Sequence, residues 1–308
     1  MSKLDLLSIG EAMAELRPNS ADGKDTGFKV GFAGDTFNTA VYCARELGEG
    51  SSVGFFTRVG QDALSAEFIK LAEREDLISS FIALDQERLI GIYSVSTDET
   101  GERSFSYWRD NSAARQLFSH DEATHHLPTA RICYLSGISL AILSPSARQR
   151  LITHLSSLSQ SGETLIAFDS NYRPRLWENQ ATARSVISDM WEIADIALPS
   201  IDDEMELYEE ASEDDVIARF AKKDWHACAI KRGVRGPVSP SLSRDIVPEF
   251  KPASSVVDTT AAGDSFNGGY LAGLLQGKDE LECLMLGHST ASQVVGESGA
   301  IIKKVNHE

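Results

Sequence analysis

Two hydrophobic periods alternate along the chain. Leu4 to Ile9 is a short, mostly apolar run that stops at Gly10, the pattern of a buried strand. Past a Gly-containing loop, Asp35 to Leu47 (DTFNTAVYCAREL) spaces its apolar residues at helical intervals and ends at Gly48, which predicts a helix. Val53 to Val59 is strand-like again, and Ala63 to Arg74 is an amphipathic helix. After an interruption the rhythm returns, with strands predicted at 131–136, 164–168, 195–199 and 227–231 and helices at 144–160, 181–193 and 202–222. A helix that is Gly-rich and then apolar begins at Gly263, and a last one covers 279–296. Strands alternating with helices predict an α/β fold, a doubly wound and mostly parallel sheet.

The interruption has its own pattern. Phe81 to Leu84, Leu89 to Ser96 and Arg103 to Trp108 are short and rich in β-branched and aromatic residues, with turn residues Thr97 to Gly101 before the last of them. No helical period separates them, so a small antiparallel sheet is expected to project from the main one, as a lid or a dimer contact, with the edge of the main sheet as the plainer alternative. The chain shows no internal repeat, low-complexity tract or long linker. Residues 1–308 therefore read as one domain, with the lid formed mainly within 81–109.

Composition narrows the partners. The 308 residues are 42% apolar and 24% charged, which excludes collagen, coiled coil and wholesale disorder. Lys plus Arg is 29 against 46 for Asp plus Glu, a formal net charge of −17. Such a surface repels polyphosphate, so neither nucleic acid nor an anionic membrane is an expected partner. Cys43, Cys133, Cys228 and Cys283 stand apart in apolar stretches without a CxxC pair, which predicts buried free thiols rather than a zinc site or disulfides. The start, MSKLDLLSIGEAM, lacks the apolar core of a signal peptide, and no apolar run approaches the ~18 residues of a membrane span. A cytoplasmic protein, working as a homo-oligomer, is the expectation.

In an open α/β sheet, ligands bind where strand ends lead into helices, and three such places carry unusual residues. The first is Val257-Asp258-Thr259-Thr260-Ala261-Ala262-Gly263-Asp264-Ser265-Phe266. Small residues at 261–263 let a ligand approach the backbone, and the helix start turns N–H groups and a positive dipole end towards it. Asp264 in that first turn could take a proton from an attacking hydroxyl, or be simply a favourable charge at a helix start. The second place is Gly91-Ile92-Tyr93 with Gly101 to Arg109, where Tyr107 and Arg109 project from one strand face. A hydroxyl beside a guanidinium suits a carboxylate or a hydroxylated chain; an aromatic edge strand with a solvated Arg is the plainer alternative. The third is Phe168-Asp169-Ser170-Asn171-Tyr172-Arg173-Pro174-Arg175, with two arginines in an acidic protein.

Taken whole, the string DTTAAGDSFNGGY resembles the C-terminal signature of the ribokinase-like (PfkB) carbohydrate kinases, and the likeness extends over essentially the whole chain, including Gly31 to Asn38 (GFAGDTFN). Family members often have two adjacent glycines where this chain has Ala33-Gly34. Within the family, GERxFxYWR, LSGISLAILSP, NYRPRLW and DTTAAGDSF are similar to the 2-keto-3-deoxygluconate kinases. The resemblance implies ATP and Mg2+ as cofactors and a small sugar acid as substrate. It implies that Asp264 is the catalytic base and that Ala261, Ala262 and Gly263 form the anion hole. It further implies that Gly34, Asp35 and Asn38 hold substrate hydroxyls, that Tyr93, Tyr107, Arg109 and Arg173 surround its chain and carboxylate, and that the loop with Lys231, Gly233 and Gly236 lies along the nucleotide. A substrate carboxylate would account for arginines clustered in a −17 protein; a neutral sugar, as in a fructokinase, would not require them.

One departure concerns the metal. Many members carry Asn-x-x-Glu after the strand near 195–199, whereas this chain has Ser200-Ile201-Asp202-Asp203 followed by Glu204. An Asp at the Glu position can hold magnesium through water, and no residue is assigned as a metal ligand. Other classes fit less well: there is no GxxxxGK[ST] P-loop, and no GxGxxG follows the first strand as in a dehydrogenase. A non-catalytic sugar-acid sensor would not need the Asp264 base. Ser119-His120-Asp121-Glu122 with His125-His126 reads as a capped, solvated helix start, and the acidic cluster at 202–215 as a solvated helix face.

Overall fold

The computed structural model describes residues 3–19, 27–97, 103–120, 127–243 and 246–304. The first apolar run is β1 (Leu4–Ile9), followed by β2 (Met13–Pro18), β3 (Phe28–Ala33), α1 (Asp35–Leu47), β4 (Val53–Val59), α2 (Ala63–Arg74), β5 (Leu77–Ile78) and β6 (Ile82–Leu84). Next come β7 (Gly91–Thr97), β8 (Arg103–Trp108), β9 (Ala130–Ser136), α3 (Gly137–Ala141), α4 (Pro145–Ser161), β10 (Leu165–Asp169) and α5 (Gln180–Ile193). The last third holds β11 (Ile196–Ala197), α6 (Ile201–Tyr208), α7 (Glu213–Phe220), β12 (Ala227–Cys228), α8 (Ala262–Leu275) and α9 (Glu280–Val294).

The large sheet runs β12-β11-β10-β9-β1-β4-β5, with β6 also pairing to β4, and its ladders are parallel. Its strands are apolar on both faces because helices cover both. Leu6 of β1 packs with Phe37, Phe55 and Phe68 on the side of α1 and α8, while Leu7 and Ile9 face the opposite core with α4 and α5. The chain leaves β1 for β4 on one side and returns to β9 on the other. The crevice at such a switch point, beyond the carboxyl ends of β1 and β9, is where an open α/β sheet takes its ligand.

The small sheet has the order β3-β2-β7-β8. Its β2–β3 and β7–β8 pairs are antiparallel, but β2 and β7 run parallel, so the sheet is mixed rather than wholly antiparallel. Half of it comes from 13–33, where the sequence pattern suggested only a loop. Conversely, Ile82–Leu84 extends the large sheet on β4 rather than joining the lid. The turn signal lies, from Asp98 to Gly101, outside the described residues. The predicted helix at 202–222 is two helices. Glu209 takes a left-handed conformation with φ 57° at the end of α6, and Ser212 and Asp215 form a capping box that starts α7. The four cysteines are buried free thiols, and among the described residues no helix is long and apolar enough to cross a membrane.

Candidate active site

The first wall of the crevice is the start of α1. A Cβ on Gly34 would lie 2.1 Å from the Glu11 carbonyl oxygen, so only glycine lets α1 begin this close to the chain leaving β1. Ala33, in contrast, uses its methyl group, packing with Met13, Tyr93 and Val95 of the small sheet. The Asp35 carboxylate accepts from Ser136 Oγ and, at 2.9 Å, from Asn171 Nδ2. Burial pushes its carboxyl above the usual range and the Asp169 charge adds to that, while Ser136, the Thr36 N–H and Arg109 oppose.

The second wall is the start of α8. Ala261 turns the chain into the helix with φ 62°, and Ser265 N donates to the Ala261 carbonyl at 2.8 Å. Asp264 thus stands in the first turn, with Asn38 Nδ2 donating to its Oδ2 at 2.8 Å. Asn38 is held in turn, its Oδ1 accepting from Gly34 N at 3.3 Å. Protein atoms crowd Asp264 at the bottom of the crevice although part of it remains reachable by solvent. Burial and the charges of Asp35 and Asp169 push its carboxyl up to about 7 against the pull of Asn38 and Lys231. A carboxyl in that range can exchange a proton near neutral pH. A Cβ built on Gly263 would meet nothing nearer than Lys231 Nζ at 4.0 Å, so the space before it is open.

Lys231 is engaged at the base of this hole. Its ammonium is paired with Asp169 and donates to Asn267 Oδ1 at 3.1 Å, and Asn267 Nδ2 donates to Asp169 at 2.7 Å and to the buried Tyr134 hydroxyl at 3.0 Å. Sequence reasoning named Lys231 but missed Asp169, Asn267 and Tyr134, whose partners come from three distant segments. Gly233 and Gly236 have φ of 57° and 73°, and a Cβ on Gly236 would overlap Phe250. Phe250 lines a cleft of about 670 Å³ between the 248–255 segment and α9, together with Pro248, Ser255, Met285, His288 and Ser292. Val257 N and Asp258 N donate to the Val295 carbonyl at 2.7 and 3.2 Å, so this cleft adjoins the loop leading to Asp264. Nothing in the 248–255 pattern marked it, because it is irregular backbone shaped by its neighbours.

The small sheet covers the other side. The Tyr93 hydroxyl is turned to Glu15, and the Tyr107 ring, half exposed, lies 5.9 Å from that of Tyr93. Arg109 Cζ sits 5.9 Å from the Tyr107 ring, and its guanidinium is paired with Glu11, both residues being buried. Among the described residues, Glu11 Oε1 and Arg109 Nε have no hydrogen-bond partner. Arg173 is half exposed, donates to the Tyr172 carbonyl at 2.6 Å and meets Asp203 at 3.1 Å. Of the two neighbouring acids, Asp203 faces this cluster, whereas Glu204 is fully buried against Arg219 at 2.8 Å and pushed up to about 7, chiefly by burial. Glu204 is thus an exception to a solvated acidic face at 202–215.

Among the described residues no three His, Cys, Asp or Glu side chains gather as a metal cage. The Asp121 to His126 stretch lies outside them. The donor set near Arg173 and Lys231 is carboxylate oxygen, Asp169 and Asp203, which suits magnesium held through water and substrate phosphates rather than by the protein alone.

A parallel α/β sheet with helices on both faces and a separate small sheet is the ribokinase-like fold that the sequence resemblance implied. Comparison with known proteins agrees. The pfkB family carbohydrate kinase pattern matches residues 3–306. The chain is 39% identical over 303 residues to the 2-dehydro-3-deoxygluconokinase of Escherichia coli K12, covering 96% of each, and 39% identical over 309 residues to that of Dickeya dadantii, covering 98% of each. Among solved structures, the fructokinase of Vibrio cholerae bound to fructose, ADP and calcium superposes with a TM-score of 0.80 at 21% identity, over 97% of this chain and 95% of that one. The chain belongs to the PfkB family of carbohydrate kinases, and it is a sugar kinase.

Proposed function

We propose that the protein phosphorylates the terminal hydroxyl of a six-carbon 2-keto-3-deoxy sugar acid, 2-dehydro-3-deoxygluconate, at the expense of ATP. The observation that carries the reading is Asp264 at the start of α8, held by Asn38 at 2.8 Å and feeling the charge of Asp35, which in turn feels that of Arg109 beside Tyr107. The relatives at 39% identity, named for this substrate, support it. Gly34, Asp35 and Asn38 orient the substrate hydroxyls, and Tyr93, Tyr107, Arg109 and Arg173 flank its chain and carboxylate.

Asp264 removes the proton as the hydroxyl oxygen attacks the γ-phosphorus in line; the P–O bond to ADP breaks and ADP leaves. Backbone N–H groups of 261–264 face the charge that develops on the transferring group. Asp169 and Asp203 would hold a magnesium ion through water, and it would supply further charge neutralisation there. The 233–236 loop and the cleft beside Phe250 and His288 receive the rest of the nucleotide, and the small sheet keeps water from intercepting the phosphoryl group.

One observation favours a neutral ketohexose as the second reading: Glu11 already pairs with Arg109, which leaves less unmatched positive charge for a substrate carboxylate. A coupled kinase assay decides between them. Wild type should prefer 2-dehydro-3-deoxygluconate to fructose. Arg173→Ala, which also takes the guanidinium away from Asp203 whatever the substrate, should cost about 2–5 kcal/mol in kcat/KM on the sugar acid and much less on fructose. A preference for fructose would sink the sugar-acid reading, and equal losses on both would assign Arg173 to the phosphates instead.

A further inference from the structure

Arg17 stands at the end of β2 in the small sheet, and none of the sequence motifs includes it. Its guanidinium reaches two carboxylates in different parts of the site. Nε and Nη2 grip Glu15 at 2.5 and 3.0 Å, while Nη1 meets Asp258 Oδ2 at 3.1 Å and Ser298 Oγ at 3.2 Å. Glu15 also accepts from the Tyr93 hydroxyl on β7. Asp258 opens the loop that ends in Asp264, its Oδ1 accepting from Thr260 N at 2.8 Å and its Oδ2 from Gly299 N at 2.9 Å. The Asp258 side chain is 0% exposed, and a carboxylate so buried keeps its charge only beside a cation and donors. Apolar contact runs alongside the ionic one, since Ala261 packs against Met13, Ala33, Tyr93, Val95 and Ala300.

We propose that Arg17 is a positioning residue for phosphoryl transfer: it ties lid strand β2 to the Asp258 carboxylate and thereby holds the 261–264 backbone where the transferring phosphate passes. Asp258 shapes the loop by accepting from Thr260, three residues before Gly263. Without the guanidinium, the buried carboxylate loses a cation held at 3.1 Å, and its grip on the Thr260 and Gly299 N–H groups loosens. Because the same guanidinium grips Glu15, and Glu15 holds Tyr93, the anion-hole loop and the sugar side of the lid take their positions together. Lysine is a poor substitute, as one point charge cannot serve both carboxylates in this fork. The proposal rests on the sugar-kinase reading of the site, not on which sugar is taken.

The test uses Arg17→Met, Arg17→Ala and Arg17→Lys. Arg17→Met and Arg17→Ala should lower kcat about ten- to hundredfold, the effect of a small misplacement of the phosphate-facing backbone, with KM for the sugar changed far less and Arg17→Lys in between. Guanidinium chloride at low, non-denaturing concentration should restore part of the Arg17→Ala turnover, and sodium chloride of equal ionic strength should not. Hydrogen exchange at Thr260 and Gly299 should quicken in Arg17→Met while β1 and β9 keep their protection. A folded Arg17→Met with kcat within about twofold of wild type would overturn the proposal. So would unaltered exchange at 257–264, or a loss that tracks a general fall in Tm with β9 exchanging faster and no guanidinium rescue. If wild type prefers a ketohexose, the substrate reading fails while this test runs unchanged on that sugar, and the exchange measurement needs no turnover at all.

Discussion

Asp264 and Asp35 show how neighbouring carboxylates are driven apart in behaviour by what each touches. Asp35 has Ser136 and Asn171 donating to one oxygen, which makes it a fixed acceptor. Asp264 has the Asn38 amide, the open crevice, and a carboxyl raised to about 7 by burial and nearby negative charge. Asp264→Asn keeps that shape and removes the carboxylate proposed as base, so stopped-flow or coupled assays should find kcat down by about two to four decades with nucleotide affinity nearly unchanged. A variant keeping a tenth of its turnover would remove Asp264 from the role. The same raised carboxyl sets the pH response. In the proposed role Asp264 acts ionised, so kcat/KM for the sugar should fall as pH drops through about 7, a limb that belongs to the Asp35–Asp264 pair. An acid limb near the ordinary carboxylate range would contradict that assignment.

At the scale of elements, α8 is built to present its first turn. It lacks a side-chain cap at Ala261, and Ala262 N donates to the Thr259 carbonyl at 3.2 Å, so the positive end of the helix dipole lies at this uncapped turn. Gly263 faces open space up to Lys231 Nζ at 4.0 Å, so the protein itself does not demand a glycine there. Gly263→Val should therefore fold with a Tm close to wild type, lose ATP binding by calorimetry, and still bind the sugar. Retained ATP affinity in that variant would move the phosphates elsewhere. Gly34 is the opposite case, because the Glu11 carbonyl would lie 2.1 Å from its Cβ. Even Gly34→Ala should cost stability before it costs catalysis, by the overpacking penalty of about 1–3 kcal/mol or more, read as a lower urea midpoint.

The whole molecule carries a formal charge of −17 and gathers raised carboxyls in its interior, Asp264 and Glu204 both near 7. A carboxyl whose folded-state value exceeds its unfolded one binds more protons when folded, so stability falls as pH rises through the folded value. The ligand-free protein should accordingly melt at a higher temperature at pH 6 than at pH 8 at constant ionic strength. Asp264→Asn should flatten part of that slope. A melting temperature that rises from pH 6 to pH 8, with no difference between wild type and variant, would show these groups to be ionised throughout.

The α/β alternation, the helix starts at Asp35 and around 262, and the buried cysteines could be read from the sequence, because each is a local consequence of hydrophobic period and chain conformation. Of the candidate site residues, Ala261 to Asp264 sit together in one signature, whereas the others are scattered along the chain and meet only through the fold. The strands at 13–33 were not, since Arg17, Gly31 and a loop of polar residues obscure their period until pairing with β7 rescues them. The pairing of charges could not be foreseen at all. Arg109 with Glu11, Lys231 with Asp169 and Asn267, and Arg17 with Asp258 join residues 98, 62, 36 and 241 positions apart. The sequence by itself determined the strand–helix alternation of the large sheet and set the 258–270 signature at a helix start. Only the tertiary structure decided which charges are left to meet a substrate, because a buried charge takes the nearest partner in space, and that distance is set by how the sheets close on one another.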